Sequence, residues 1–260
     1  MTAEYLSAAP LITLPHGFFT RRGGVSRGQF AALNCSLSGQ DEPQAVATNR
    51  ARAMRALGLP EAALSGAHQV HGAAVATLTG PVPHEARPQA DALVTDRPGL
   101  PLGIVTADCA PVLFADEAAG VVGAAHAGWR GAVAGVLEAT LQAMEALGAT
   151  RAGIAAVVGP CIRQDSYEVG ADLRDAVLAR EATDARFFRE GRREGHWQFD
   201  LPGYCAARLK AAGAGRVGVL PMDTYTDPSR FFSHRRRTVN GEGPIGHQLS
   251  AIALPLPPSG

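Results

Sequence analysis

The sequence has one lysine, no net charge and only 18% charged residues, and each shortage closes a class of function. Nucleic-acid binding draws on phosphate neutralisation by lysine and arginine, so 24 basic against 24 acidic residues leave no broad polyanion surface. A small anionic substrate needs only a few local arginines and stays open. No apolar run approaches the roughly 18 residues of a membrane span. The N-terminal stretch MTAEYLSAAPLITLPHGFF lacks a basic start followed by the apolar core of a secretory signal. The four cysteines, Cys35, Cys109, Cys161 and Cys205, lie far apart with no CxxC pair, which argues against a disulfide framework. The expected address is the cytoplasm, with neither nucleic acid nor membrane as partner. The sequence assigns no oligomeric state.

Hydrophobic content is 46%, enough for a packed core, and no internal repeat divides the chain, so one domain over 1–260 is expected. Strand-like runs occupy 17–21, 74–79, 92–95, 102–106, 112–115, 121–125, 154–158, 197–199, 217–220 and 248–253. Helical spacing is read over 44–57, 131–147, 171–181 and 202–213. In the second of these, Val133, Val136, Leu137, Thr140, Leu141, Met144 and Leu147 form one apolar stripe, with Gly148 as its stop. Gly58 ends the first, and Asp200 with Pro202 opens the last. The Pro-rich stretch 80–88 reads as a surface loop. Between 74 and 126 the strands follow one another with connections too short for helical crossovers. That favours an α+β layered fold with antiparallel pairing over a doubly wound parallel sheet.

Three segments carry chemistry: HQVHG at 68–72, ADC at 107–109 and HAGWRG at 126–131. Each stands where a strand-like run ends, the usual place for binding groups on a rigid scaffold. A catalytic zinc takes three protein ligands and leaves a fourth position open, and His71, Cys109 and His126 suit it. The bland alternative is a buried thiol and two hydrogen-bonded core histidines. Five further histidines, His16, His84, His196, His234 and His247, are scattered without ligand-like pairing, too few and too dispersed for a multicopper assembly.

Other motifs occur in order along the chain: TRRGGVS at 20–26, LNCS at 33–36, GPCI at 159–162, YEV at 167–169, FDL at 199–201 and FFSHRR at 231–236. With the three segments above, this set resembles the YfiH-type laccase-domain family, described both as multicopper polyphenol oxidases and as purine nucleoside phosphorylases. The resemblance implies layered mixed β-sheets flanked by helices, similar to the fold of the cytotoxic-necrotizing-factor proteins. It implies zinc on His71, Cys109 and His126, which are then the catalytic residues. It implies phosphorolysis of adenosine, inosine, guanosine and methylthioadenosine, with adenosine deamination as a companion activity. The partners are then purine nucleosides and phosphate. Two rivals stand beside it: a copper-dependent phenol oxidase, and a metal-free deamidase or hydrolase with Cys109 as nucleophile and His126 as base.

For the anion, Arg21 in its Gly-flanked turn and Arg130 beside a helix start near Gly131 are the leading residues, because a guanidinium meets two oxygens at once. Asn34 can bond a ribose hydroxyl or cap a turn. Asp108 and Glu168 are the carboxylates on offer as a proton shuttle. Trp129 reads as a core anchor or a platform for a purine, and His68 as a partner that orients His71. Cys161 either approaches the site or fills the core, while Cys35 and Cys205 read as core. Relatives usually carry a Thr-Gly-Arg-type segment near the C-terminus. Here His247 stands where that arginine is expected, which would weaken phosphate binding or shift its pH dependence, since a histidine is only partly charged near neutrality. Met222, Asp223 and Thr224 replace a Cys-Thr pair common in relatives.

Overall fold

The computed structural model describes residues 2–61 and 64–256. Its largest sheet has six strands: β3 (Val75–Thr77), β4 (Ala92–Thr95), β6 (Ala110–Asp116), β7 (Val121–Ala127), β8 (Ala155–Val158) and β12 (Arg216–Val219). Their order is β12-β8-β6-β7-β4-β3. The four central strands pair antiparallel, and the outermost pairs, β12 with β8 and β3 with β4, are parallel. A second sheet, ordered β1-β2-β13-β5, joins Tyr5–Leu6, His16–Phe19, Gln248–Ile252 and Leu102–Thr106. A small third sheet, β10-β11-β9, combines Phe188–Glu190, Trp197–Phe199 and Glu168–Val169.

Alternation along the strands sets the layers. Val112, Phe114, Ala125 and Val158 point to one side of the six-stranded sheet, where α3 (Val136–Ala146) and α5 (Leu201–Ala211) cover them. Leu113, Val122, Ala124 and Val157 point to the other and meet Phe18, Leu102, Ile104 and Ile252 of the second sheet. The far face of that sheet presents Phe19, Leu249 and Ala251 to Ala53 and Met54 of α1 (Pro43–Ala56). Both faces of the central strands are buried, so these strands read as continuous apolar runs.

The expected α+β class holds, as do ten strand positions within a few residues. Helix 131–147 does not hold as one piece. It is α2 (Trp129–Ala134) and α3, broken at Gly135, whose φ of 97° is left-handed. Gly58 and Gly148 adopt φ of 67° and 99° at the expected stops, and Asp200 caps α5 by accepting from the Gly203 N–H at 3.1 Å. The helix α4 (Ala171–Arg180) lies where expected. Missed were β1, β9, β10 and α6 (His234–Asn240), all seven residues or fewer and without a clear apolar period.

Candidate metal and active site

β5 belongs to one sheet and β6 to the next, so residues 107–109 form the crossing between layers and carry Cys109 to the sheet end. His126 is the next position after Val122 and Ala124 on the same face of β7, near the end of that strand. His71 comes from the loop before β3. One ligand atom from each of the three lies within 4.8 Å of the others, and their burial is graded: His71 exposed, Cys109 half-buried, His126 buried. The two imidazoles meet edge to face with ring centroids 4.7 Å apart. A Cβ on Gly128 would stand 3.1 Å from both the Cys109 Sγ and the His71 Cδ2, so glycine leaves this space to the three donors.

Asp91 holds the cluster together. Its carboxylate is fully buried and takes the backbone N–H groups of Val70, His71 and Gly72 at 3.1, 2.9 and 2.7 Å. The same carboxylate meets the His126 Nδ1 at 2.8 Å, which leaves Nε2 as the free ring nitrogen. Burial alone would raise the Asp91 pKa, but the bond to His126 and those from the loop lower it. Burial would likewise raise the Cys109 thiol, yet the charges and hydrogen bonds of His126 and His71 bring it down to about 6. A thiolate is the form that a metal or an electrophile requires.

Among the described residues only two non-glycines have positive φ, His71 at 61° and Asp108 at 87°, and both adjoin or belong to this cluster. Each is held by a buried carboxylate. Asp91 gathers the turn around His71, while Asp108 accepts from Thr224 Oγ1 (2.6 Å), Ser233 Oγ (2.9 Å) and the Arg235 N–H (2.7 Å). The strained backbone is thus fixed by hydrogen bonds that reach across the fold. Gln69 adds a further tie, its amide donating to the Val105 carbonyl at 2.8 Å and accepting from the Val105 N–H at 2.9 Å on the open edge of β5.

The cluster opens into a cavity of about 500 Å³. Its wall includes Trp129, Ile162, Tyr167 and Leu201 as apolar surface, Arg87, Arg130 and Arg235 as cations, and His234 and His247. Asp108 is the carboxylate in that wall.

The profile of the family described as multi-copper polyphenol oxidoreductase laccase matches residues 15–255. The chain belongs to this family. A protein of Deinococcus radiodurans named purine nucleoside phosphorylase is 42% identical over 250 residues, 96% of this chain and 93% of the relative. A Streptomyces griseus protein, purine nucleoside phosphorylase ORF3, is 41% identical over 240 residues, 88% of this chain and 93% of its own. Among solved structures, YlmD from Geobacillus stearothermophilus superposes with a TM-score of 0.87 at 28% identity, covering 98% of this chain and 97% of that one. The hypothetical protein YfiH of Bacillus licheniformis gives 0.84 at 32% identity, over 92% of each chain.

The expected site residues divide. His71, Cys109 and His126 come together, and Arg130 and His247 reach the cavity wall. Arg21 does not line the cavity. Its Nε donates to the Ala31 carbonyl at 2.7 Å, its Nη1 to that of Pro228 at 3.2 Å, and it stacks on Phe232, so its donors tie loops. Asn34 is buried behind the wall. Its Oδ1 accepts from the N–H groups of Ser36 and His247 at 3.1 and 2.9 Å, so it positions wall residues. Glu168 faces elsewhere, paired with Arg193 at 2.6 Å. His68 is exposed, and the orienting role expected of it belongs to Asp91. Cys35, Cys161 and Cys205 are buried, and burial raises all three thiols. Trp129 packs on the core and also lines the cavity. The helix at Arg130 is only six residues long.

His247 is less charged than a free histidine. Burial, with the nearby basic groups His126, His234 and Arg237, lowers its pKa to about 4, so the ring is neutral at pH 7. His234 and His247, scattered in sequence, share one cavity. Sequence reasoning missed Asp91, Gln69 and Arg87 altogether. Only the position of Asp91 just before an apolar strand hinted at a role.

Proposed function

We propose that the chain is a metal-dependent purine nucleoside phosphorylase, splitting adenosine, inosine, guanosine or methylthioadenosine with phosphate into free base and ribose 1-phosphate. The observation that carries the reading is a thiolate and two imidazoles gathered at the wall of a cavity with aromatic and cationic surfaces. Relatives named for this activity cover nearly the whole chain. The donor set suits zinc, since one soft thiolate and two imidazoles leave a position open. When bound, the ion supplies positive charge to a reacting oxygen or nitrogen without redox change. His71, Cys109 and His126 would hold it, and Asp91 keeps the His126 Nε2 aimed inward. Trp129 and Tyr167 offer aromatic surface to a purine. Arg130, Arg87 and Arg235 offer charge to the phosphate, whose own negative charge then faces the oxocarbenium-like transition state at the ribose.

The copper-oxidase reading fits less well. The three-residue cluster is the one group of metal-donor side chains found among the described residues, whereas a multicopper assembly needs further ligand sets. Adenosine deamination calls for a carboxylate to move protons at the purine. Asp108 already accepts three hydrogen bonds and Glu168 faces away, so neither is free for that work.

One observation favours the metal-free alternative. Asp91, His126 and Cys109 form the acid–base–nucleophile order of a cysteine hydrolase. His71 beside the thiol has no part in such a triad and counts for the metal. A product assay with adenosine and inosine, with and without phosphate and with metal analysis, separates these readings. Phosphate-dependent base release that Cys109→Ala and chelation both abolish is expected. Base release or amide hydrolysis that survives chelation, yet is lost on thiol alkylation, would overturn the metal reading. Oxygen uptake with phenols by a copper-loaded protein would overturn the phosphorylase.

A further inference from the structure

The cavity wall contains a hydroxyl that the described residues leave without a partner. Thr106 ends β5 and lines the cavity together with Cys109 and His126. The residue is 2% exposed, and its Oγ1 is buried with no hydrogen-bond partner. Strand alternation says which way it faces. Leu102 and Ile104 lie on the side of β5 that meets the six-stranded sheet, and Thr106 is the next position on that side. Across the layer, Val122, Ala124 and His126 form the facing row of β7. Thr106 and His126 thus extend two opposed apolar rows, and both reach the wall of one cavity.

The polar neighbours of Thr106 are already engaged. Gln248 stands opposite it in the ladder between β5 and β13, but the Gln248 amide accepts from the Phe232 N–H at 2.9 Å and donates to the Phe232 carbonyl at 3.2 Å. Asp108, two residues on, accepts from Thr224, Ser233 and the Arg235 N–H. His126 gives one ring nitrogen to Asp91 and turns the other to Cys109. Valine has nearly the shape of threonine, so a strand end that had only to fill space would be served better by valine. A buried hydroxyl without a partner destabilises the free protein. Its removal from water is completed on folding, so a ligand that reaches Oγ1 gains the hydrogen bond in full.

We propose that Thr106 is a specificity-determining residue whose Oγ1 hydrogen-bonds the 2′-hydroxyl of a ribonucleoside. The choice of ligand rests on the phosphorylase reading, under which the cluster of His71, Cys109 and His126 attends the glycosidic bond. The sugar hydroxyl nearest that bond is the 2′-hydroxyl, and Thr106 faces the His126 row. Two hydroxyls suit each other here, because either can donate while the other accepts. Neither adds charge beside the Cys109 thiolate. Thr106 then selects ribonucleosides over their 2′-deoxy counterparts.

The test compares wild type, Thr106→Val and Thr106→Ser as the full chain supplemented with zinc. Melting temperatures are taken without ligand, with inosine and with 2′-deoxyinosine. The kcat/KM for base release is then measured on each nucleoside at saturating phosphate. Without ligand, Thr106→Val should melt at the wild-type temperature or above it, since it removes an unpaired hydroxyl and keeps the shape. Wild type should favour inosine by about tenfold or more in kcat/KM, the scale of one hydrogen bond to a group already out of water. Inosine should also raise its melting temperature more than 2′-deoxyinosine does. In Thr106→Val both preferences should vanish through a loss on inosine, and Thr106→Ser should restore them. A ligand-free Thr106→Val protein that melts lower than wild type has lost a partner within the protein, and that overturns the proposal. So does a wild type that treats the two nucleosides alike. Phosphate-dependent base release with the preference intact in Thr106→Val would remove the contact and spare the phosphorylase. A melting-shift preference that Thr106→Val abolishes, in a protein that never releases base, would do the reverse.

Discussion

Asp91 does more for the site than its place in the sequence suggests. One buried carboxylate sets the His126 ring and gathers three successive N–H groups around a left-handed His71. In Asp91→Asn, the side-chain NH2 would face either a backbone donor or the histidine, so one contact becomes a clash of donors. Metal affinity should fall by about 10–100-fold, the usual cost of losing a group that orients a ligand. Metal titration of the folded variant measures it, and wild-type affinity would rule out the orienting role. His247 has a consequence for stability. It titrates near 4 when folded, against the ordinary 6.5, so between these values the unfolded chain binds more protons. Stability should therefore rise with pH from about 4 to 6.5. His247→Gln should flatten that part of the profile in urea unfolding at several pH values. An unchanged slope would show that other groups carry it. At this scale the His71, Cys109 and His126 cluster was legible in sequence because its residue types are rare and chemically pointed. Asp91 was not, because an aspartate before a strand has many commoner uses.

Gly135 decides the course of the chain after the HAGWRG segment. An apolar stripe says that residues 131–147 share a face, but it cannot register a break that keeps the stripe in phase. The left-handed φ of 97° ends α2 and restarts α3, and Arg180 from α4 caps the break by donating to the carbonyls of Ala132 and Val133 while meeting Glu138 at 2.8 Å. A Cβ at Gly135 would find only ordinary contacts, the nearest at 3.7 Å, so Gly135→Ala is a test of backbone conformation alone. Its cost should be about 1–2 kcal/mol, read from denaturant midpoints. A neutral result would mean that the helix can run through. Elements with long apolar periods lie where expected, apart from the break at Gly135. Short ones such as α6, which depends on the Ser233 cap and on Asp108, draw their stability from tertiary partners.

Across the whole molecule, the two larger sheets stack closely. Gly159, just beyond β8, packs against the other sheet so tightly that an added Cβ would lie 2.1 Å from the Phe18 ring and 3.0 Å from Pro111. Phe18 is 1% exposed and cannot swing aside into solvent. Gly159→Ala should cost at least about 1–3 kcal/mol by overpacking, seen as a lower melting temperature. An unaffected melt would mean that the sheets can separate locally.

The amino-acid sequence by itself determined the layered α+β class and the apolar strands. It also singled out His71, Cys109 and His126, which the fold brings together, because residue identity is a local property. Tertiary structure alone decided which polar groups share the cavity. His234 and His247 are distant in the chain and adjacent at its wall, while Arg21, promising in its glycine turn, is turned to loop carbonyls. The physical reason is that a donor's availability depends on which partners the folded chain has already given it, and those partners come from elements far apart in sequence.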